Sequence, residues 1–259
     1  MTEEDSRAAY TFADGKTIIL EASPSDFATG TSTGWMTWNA SVVLCDYLEH
    51  HCQKQIRGHS VGDISSGNGL VAVCLSFLGA ASVIATETED CVALTTRNGE
   101  VNATPLSVVP YYWGSHPHDN TKNPCVKAHC QVVTMCDLLY IALRDSLEDE
   151  LAITCQQICC GNVSTETQTE TQTETQTETQ IETQIETQIE TQLYFAFEQR
   201  LGDEENAFLQ RLQDKEGLKV TKIPDALVNV DRLQPEEGGT ALLLWEAPPI
   251  KMYIISKQT

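Results

Sequence analysis

Two acidic residues stand where a nucleoside-type ligand could be bound. Asp63 lies two residues before Ser65, the first residue of the small-residue turn Ser65-Ser66-Gly67-Asn68-Gly69, and Glu87 ends the next apolar segment. A turn of small residues that opens a helix lets a ligand approach backbone N–H groups closely, although such turns are equally common for structural reasons alone. An acidic residue about 20 positions beyond the turn is the usual acceptor for ribose hydroxyls. Together the two features predict a nucleoside-type cofactor.

The charge near the turn indicates which cofactor. The turn lacks a Gly-Lys-Ser/Thr triplet, and no Arg lies near Glu87. Asp63 would repel a pyrophosphate, whereas it suits a cation such as the amino-acid part of S-adenosylmethionine.

Buried strands and helices alternate along the chain, as required to place these residues together. Alternation of this kind predicts an α/β fold, a single domain with a mainly parallel sheet covered on both faces. In such a sheet, ligands bind at the carboxyl ends of the strands. We predict strands at 59–64, 83–86, 106–112, 132–135, 194–197, 218–223 and 252–256, and helices at about 37–52, 69–79, 90–102, 138–160 and 203–215. Antiparallel pairing is an option for the last strand.

Composition restricts the partners and the compartment. The net charge of −21 disfavours nucleic acid, and no window is apolar enough to span a membrane. The acidic N-terminus is unlike a secretory signal, so we expect a cytoplasmic protein that can also be nuclear, is monomeric, and keeps its ten Cys reduced. The spacing of His116, His118, Cys125, His129 and Cys130 fits no tetrahedral zinc pattern, so we expect no metal.

An exact repeat interrupts the alternating pattern. Residues 165–192 consist of Thr-Glu-Thr-Gln units followed by Ile-Glu-Thr-Gln units. The period of four matches neither helix nor coiled coil, so we interpret the tract as a solvated insertion in a helix-to-strand connection, with a helix-like extension or β-type association as alternatives. We therefore divide the chain into an extended segment, 1–34, and a domain, 35–259, interrupted by 165–192.

Six motifs, in order, resemble the seven-strand S-adenosylmethionine-dependent protein-lysine methyltransferases of methyltransferase family 16. The resemblance covers nearly the whole chain outside the tract and implies a Rossmann-like seven-stranded sheet. The motifs are Gly34-Trp35-Met36-Thr37-Trp38, the turn Asp63–Leu70, the strand end Thr86-Glu87, the series Leu94, Asn98 and Asn102, the pair Trp113-Gly114, and Asp137-Leu138-Leu139-Tyr140.

The resemblance also assigns roles to individual residues. Asp137 and Tyr140 would face the amine of a lysine in a protein substrate. The residues expected to bind S-adenosylmethionine are Trp38, Asp63, Ser65, Ser66, Gly67, Gly69, Glu87, Trp113 and Cys136. From spacing alone the two Trp residues are more often core residues, and an Asp-x-x-Tyr is more often a helix cap. Ser65 replaces the family's first glycine, and the segment 59–64 is poor in apolar residues.

The sequence leaves the acceptor open. The function implied by the resemblance is methyl transfer to a lysine side chain. The alternatives are a methyltransferase of another acceptor (Arg, His or a small molecule) and a non-catalytic binding protein that retains the fold.

Overall fold

A computed structural model describes residues 6–21, 33–161, 190–233 and 249–258. The strands are β1 (Ser6–Thr11), β2 (Thr17–Glu21), β3 (Ser60–Ile64), β4 (Ser82–Glu87), β5 (Leu106–Pro110), β6 (Val132–Cys136), β7 (Gln192–Glu198), β8 (Leu218–Lys222) and β9 (Ile250–Lys257). The α-helices are α1 (Asn39–His51), α2 (Gln53–Ile56), α3 (Leu70–Phe77), α4 (Val92–Val101), α5 (Pro124–Lys127), α6 (Leu139–Asp145), α7 (Glu148–Cys160) and α8 (Asp203–Asp214).

Seven strands form one mixed sheet in the order β5-β4-β3-β6-β7-β9-β8. Strands β3 to β7 run parallel, whereas β9 is antiparallel to both β7 and β8. The predicted α/β class and the antiparallel last strand are confirmed. The carboxyl ends of β4, β3, β6 and β7 lie side by side, so the predicted site residues share one edge of the sheet.

The sheet separates two apolar clusters, one on each face. Along β7, Leu193, Phe195 and Phe197 belong to one cluster, while Tyr194 and Ala196 belong to the other. Successive side chains of a strand point to opposite faces, so a strand with both faces covered reads as a continuous apolar run. This is why β7 could be predicted from the sequence.

Strand β3 owes its sparse apolar content to close packing. Gly62 lies against Cys125 of α5, and a Cβ at this position would overlap the Cys125 Sγ. Its neighbours Val61 and Ile64 are fully buried. The glycine therefore allows a close approach between β3 and α5.

The helix predicted at 138–160 is two helices. Helix α6 ends at Asp145, and Ser146 adopts a left-handed conformation (φ 57°) that no helix continues through. Helix α7 then begins with Glu148, Asp149 and Glu150. Acidic residues in a first turn are favoured by the helix dipole, so this triplet was a helix-start signal inside the predicted helix.

A β-hairpin, which the sequence analysis did not predict, precedes the sheet. Strands β1 and β2 pair antiparallel around Gly15, which has φ 85°. The predicted extended segment 1–34 therefore contains a hairpin whose Tyr10, Phe12, Ile18 and Leu20 are buried in the core. The sequence signal was Asp14-Gly15 between alternating apolar residues, a typical hairpin turn.

Two asparagines of α4 hold this hairpin by its backbone. Asn98 accepts from the N–H of Glu21 (2.7 Å) and donates to the Glu21 carbonyl (3.0 Å). Asn102 makes the same pair of bonds to Ile19, at 3.0 and 2.7 Å. Asn98 also donates to the Asn68 carbonyl in the glycine-rich turn (2.7 Å). The Asn-x-x-x-Asn motif thus connects the hairpin to the turn.

The repeat tract lies mostly outside the described residues. Of its positions, 190–192 are described, and Gln192 is the first residue of β7. The flanking Thr191 donates to the Cys130 carbonyl (3.0 Å), just before β6 begins. The chain therefore enters β7 at the amino edge of the sheet.

Two further findings concern the chain as a whole. Within the described residues, none of the helices is long and apolar enough to cross a membrane. All ten cysteines are free thiols.

Candidate active site

The glycine-rich turn connects β3 to α3 and is fixed against the end of β4. The Ser66 N–H donates to the Thr86 carbonyl (2.8 Å), and the Ser66 hydroxyl donates to the Asp63 carbonyl (3.0 Å). Gly67 has φ 56°, and Gly69 has φ 90° where it caps α3. L side chains rarely adopt this conformation, which accounts for the glycines. The turn therefore presents its backbone along the carboxyl edge of the sheet.

Ser65 makes use of the hydroxyl that distinguishes it from glycine. It adopts φ 54°, an uncommon value for a residue with a Cβ. Its Oγ accepts a hydrogen bond from Trp113 Nε1 (2.9 Å), and its N–H donates to Thr86 Oγ1 (3.2 Å). The serine thus orients Trp113, which the sequence alone did not show.

A small cleft, partly open to solvent, lies above this turn. Six of the nine residues expected at the cofactor line it: Trp38, Asp63, Ser65, Ser66, Gly67 and Cys136. The structure brings Gly69, Glu87 and Trp113 next to these residues without making them part of the lining. Met36, Ser41, Asn68, Leu70 and Val71, which the sequence analysis did not single out, complete the lining.

Asp63 is the buried charge of the cleft. It is 1% exposed, and Oδ1 accepts from Thr134 Oγ1 (2.7 Å), whereas Oδ2 has no hydrogen-bond partner among the described residues. Burial raises the pKa of this carboxyl to about 6. A buried carboxylate oxygen without a partner is costly unless a ligand supplies a donor. The ammonium group of S-adenosylmethionine fits this requirement, so the residues present suit this cofactor.

Glu87 is held by the backbone beside the cleft. Its Oε1 accepts from the Gly67 N–H (3.2 Å) and its Oε2 from the Thr88 N–H (2.8 Å). Burial raises the pKa of Glu87 to about 7. A Cβ at Gly34 would lie 2.9 Å from Oε1, so the segment before α1 passes close to this carboxyl. Ribose hydroxyls could reach Glu87 only if this segment leaves room for them.

Asp137 follows Cys136 at the end of β6, and its carboxylate is not free. Both of its oxygens accept hydrogen bonds from the Arg200 guanidinium, at 2.8 Å each, and Asp137 is only 5% exposed. Asp137 directly follows Cys136, which lines the cleft. That Asp137 faces the substrate amine stays a prediction, and in this structure Arg200 pairs with both carboxylate oxygens.

Tyr140 and Trp38 complete this acceptor cluster, by which we mean Trp38, Asp137, Tyr140, Glu198 and Arg200. The guanidinium carbon lies 5.0 Å from the centre of the Tyr140 ring and 5.7 Å from that of Trp38. Glu198 Oε2 accepts a further bond from Arg200 (2.8 Å). Trp38 also lines the cleft, so the acceptor cluster and the cofactor cleft share a wall.

The sequence matches a known family over most of this site. Residues 25–182 match the family described as lysine methyltransferase, which covers more than half of the chain. The chain belongs to the lysine methyltransferase family. It is an S-adenosylmethionine-dependent methyltransferase, as the resemblance implied.

Two solved structures with TM-scores of 0.50 and 0.51 share the fold of this methyltransferase. A putative SAM-dependent methyltransferase from Streptococcus mutans has a TM-score of 0.50 and 9% identity, covering 98% of this chain and 56% of its own. A putative methyltransferase complexed with SAH has a TM-score of 0.51 and 8% identity, with 98% and 57% coverage. A ribosomal protein L11 methylase from Lactobacillus delbrueckii subsp. bulgaricus has a TM-score of 0.44 and 12% identity, with 84% and 77% coverage.

Arg200 is the site residue whose importance sequence reasoning underestimated. It lies two residues beyond Glu198, the last residue of β7, and outside the strand predicted at 194–197. The bond to Asp137 spans 63 positions, and no local pattern reports such a pairing. The available signal was that an acid, Asp137, directly follows β6, whereas a cation, Arg200, follows shortly after the neighbouring strand β7.

Proposed function

We propose that this methyltransferase acts on the side-chain amine of a lysine in a protein substrate. The observation that supports this most directly is the buried Asp63, whose partnerless oxygen lines a cleft that shares Trp38 with the acceptor cluster. A cofactor ammonium at Asp63 and an acceptor near Trp38 would then be neighbours. Membership of the lysine methyltransferase family supports lysine as the acceptor.

The chemistry requires a neutral amine. S-adenosylmethionine supplies a methyl group on a sulfonium. As the new N–C bond forms, the S–C bond breaks, its electron pair stays on sulfur as a thioether, and the product amine sheds a proton. At an ordinary lysine pKa only roughly 1 in 2,500 amines is neutral at pH 7, which corresponds to about 4.6 kcal/mol. This chain must therefore orient the amine and must not stabilise its ammonium form.

The side chains have distinct tasks in this proposal. Asp63 holds the cofactor's ammonium, and Ser66 and Gly67 bring the backbone of the turn close to it. Glu87 accepts from the ribose hydroxyls. Tyr140 and Trp38 place their rings beside the amine and orient it.

The expected setting follows from charge and chemistry. A net charge of −21 favours encounter with basic, lysine-bearing protein surfaces and disfavours nucleic acid or an anionic membrane. Ten free thiols fit a reducing compartment, and we place the protein in the cytosol or nucleus as a monomer.

Calorimetric titration with S-adenosylhomocysteine tests the first half of the proposal. We expect micromolar binding, reduced at least tenfold in Glu87→Ala, with Glu89→Ala as a control, since Glu89 is exposed and outside the cleft. The second half is tested with extract of cells treated with a methyltransferase inhibitor, in which acceptor residues stay unmethylated. The protein is incubated with this extract and labelled S-adenosylmethionine, and the labelled residue is identified by mass spectrometry. Label on arginine, histidine or a small molecule would contradict lysine as the acceptor, and absent binding would favour the non-catalytic alternative.

A further inference from the structure

Arg200 is the only cation in the acceptor cluster among the described residues, and it is held from four sides. Its guanidinium makes two parallel bonds to Asp137 and one to Glu198, all 2.8 Å long, and it lies over the rings of Tyr140 and Trp38. Its side chain is 19% exposed, against 4% for Asp137 and 7% for Glu198. Arg200 thus occupies a place suited to the cation of a substrate.

A substrate lysine could replace Arg200 only poorly. The planar guanidinium satisfies both oxygens of Asp137 at once, whereas an ammonium is a point charge that cannot reproduce this parallel pair. Removing one partner from a buried ion pair leaves the other charge uncompensated, which is strongly unfavourable. The bonds therefore favour an Arg200 that remains in place while the acceptor binds beside it.

Without Arg200 the cluster would oppose methyl transfer. Asp137 and Glu198 would then be two adjacent carboxylates with two aromatic faces, a combination that stabilises an ammonium ion. Opposite charges raise the pKa of a bound amine and reduce its neutral, reactive fraction. Arg200 neutralises the charge of Asp137 and holds Glu198 in place through a hydrogen bond.

We propose that Arg200 is a positioning residue that neutralises Asp137 and holds Glu198 in place, so that the acceptor amine is not held as an unreactive ammonium ion. This rests on the proposed lysine methyl transfer and extends it, because it gives the acceptor side of the site a fixed internal cation. The acceptor class that fits is a primary amine that binds without a salt bridge to a carboxylate of the site.

Several other titratable groups face this cluster. The Cys136 thiol lies between it and the cleft, where burial and the charges of Asp137, Asp63 and Glu198 raise the thiol pKa. Burial also raises the pKa of Glu198. The Glu205 carboxylate accepts from the backbone N–H of Arg200 (2.9 Å) at the start of α8. All of these groups are anionic or neutral, so Arg200 is the group that reduces the negative charge of the cluster.

Binding of a lysine side-chain analogue tests this without an acceptor protein. We would titrate n-butylammonium chloride into wild type, Arg200→Gln and Arg200→Lys, each with and without S-adenosylhomocysteine. Arg200→Gln should bind at least tenfold more tightly than wild type, and Arg200→Lys should resemble wild type because it restores the charge. Arg211→Gln is the matched control, since Arg211 is 26% exposed and paired with Asp149 and Glu216 elsewhere.

The pH profile of methyllysine formation in inhibitor-treated extract is the second readout. In Arg200→Gln the acid limb should move to higher pH by about one to three units, because the amine is held as ammonium. Asp137→Asn leaves Arg200 paired with Glu198, so its acid limb should stay or move lower, and it covers the case in which Arg200→Gln does not fold. Its n-butylammonium affinity should equal or fall below that of wild type.

The outcomes separate the two proposals. Equal n-butylammonium affinities in wild type and Arg200→Gln, or superimposable pH profiles, would overturn the role of Arg200. If Arg200→Gln does not fold, tighter n-butylammonium binding by Asp137→Asn than by wild type would overturn it as well. A wild type that binds no S-adenosylhomocysteine and labels no lysine would instead contradict the proposed function, and the n-butylammonium titration without that ligand would still test the cluster.

Discussion

The carboxyl edge of the sheet carries two pairs of buried carboxyl groups with opposite electrostatic solutions. On the cofactor side, Asp63 and Glu87 have no cationic partner among the described residues, and burial raises their pKa values to about 6 and about 7. On the acceptor side, Asp137 and Glu198 share the guanidinium of Arg200. In the proposed function the cofactor supplies the partners of the first pair, whereas Arg200 of the chain itself supplies those of the second.

This difference fits the two ligands that a methyltransferase must bind. The cofactor brings a permanent charge, so a carboxyl group without a cation stabilises it. The acceptor amine must lose its charge, so a negative site would oppose the reaction. The same residue type can therefore serve both sides only because one additional cation, Arg200, is placed on the acceptor side.

The largest expected effect comes from removing the cation of the acceptor side, which leaves its carboxyl groups without a cationic partner, as on the cofactor side. Arg200→Gln leaves two buried carboxylates uncompensated and should lower the free energy of unfolding by about 3–5 kcal/mol at pH 7.5. The loss should shrink towards acidic pH, where these groups protonate. Urea denaturation at several pH values measures this, and the partly exposed pair of Arg211→Gln should cost about 1 kcal/mol or less.

The cofactor side should respond to pH in the direction set by its raised pKa values. The native state of the ligand-free protein holds the Asp63 proton up to about pH 6, whereas an unfolded Asp releases it near its ordinary pKa of 3.8. Stability from this group is therefore full below about pH 4 and is lost as the pH rises through about 6. Asp63→Asn should abolish this loss and be more stable than wild type by about 3 kcal/mol at pH 7.5.

Denaturation of Asp63→Asn at pH 4 provides the control for that comparison. The variant and wild type should be nearly equally stable at pH 4. The wild-type carboxyl is then largely protonated in the folded state, and in the unfolded state the pH is close to its ordinary pKa, so it is partly protonated there too. The amide oxygen that the substitution introduces can still accept from Thr134, so the contact made by Oδ1 is retained. A constant stability difference across the pH range would contradict the assignment of the pH dependence to this carboxyl group.

The substitution Asp63→Asn should also weaken binding of the cofactor product. Loss of a hydrogen bond to a charged group corresponds to about 1.5–3 kcal/mol, so Asp63→Asn should bind S-adenosylhomocysteine roughly 10- to 150-fold more weakly. The position is thus stabilised by substitution and impaired in binding, which is the opposite of Arg200→Gln on the acceptor side. Calorimetric titration at pH 7.5 decides this, and unchanged affinity would remove Asp63 from the cofactor site.

Ser65 should give the smallest effect. Ser65→Ala loses the acceptor for Trp113 but keeps the left-handed backbone, so it should lower stability by about 1 kcal/mol. Ser65→Gly loses the same bond while relieving backbone strain of about 1–2 kcal/mol, so it should be close to neutral or slightly stabilising. Thermal unfolding of the two variants can be followed by Trp fluorescence. A higher unfolding temperature for Ser65→Ala than for Ser65→Gly would contradict this prediction.

The sequence predicted those features that depend on local patterns. The strands of the parallel sheet are continuous apolar runs because both of their faces are buried, and the glycine-rich turn has residues that only its backbone conformation explains. The position of Asp63 at the end of β3 followed from the same pattern. In each case, burial or backbone geometry restricts the residue types at a few adjacent positions, so the pattern can be recognised in the sequence.

The features that were missed depend on distant or competing interactions. The pairing of Asp137 with Arg200 arises because β6 and β7 are neighbours in the sheet, although helix α7 and the repeat tract separate them in the chain. The break at Ser146 lies in a sequence that is compatible with helix on both sides. The function of Ser65 depends on Trp113, which reaches it from the end of another strand.

The asparagine pair on α4 determines what the N-terminal hairpin tolerates. Within the hairpin, Asn98 and Asn102 hydrogen-bond to the backbone of Glu21 and Ile19, so helix α4 fixes the register of this strand through bonds that do not involve its side chains. Outward-facing positions such as Ile19, which is 42% exposed, can therefore diverge freely among related chains. Proline is the exception at Ile19 and Glu21, because it removes the N–H that each asparagine binds.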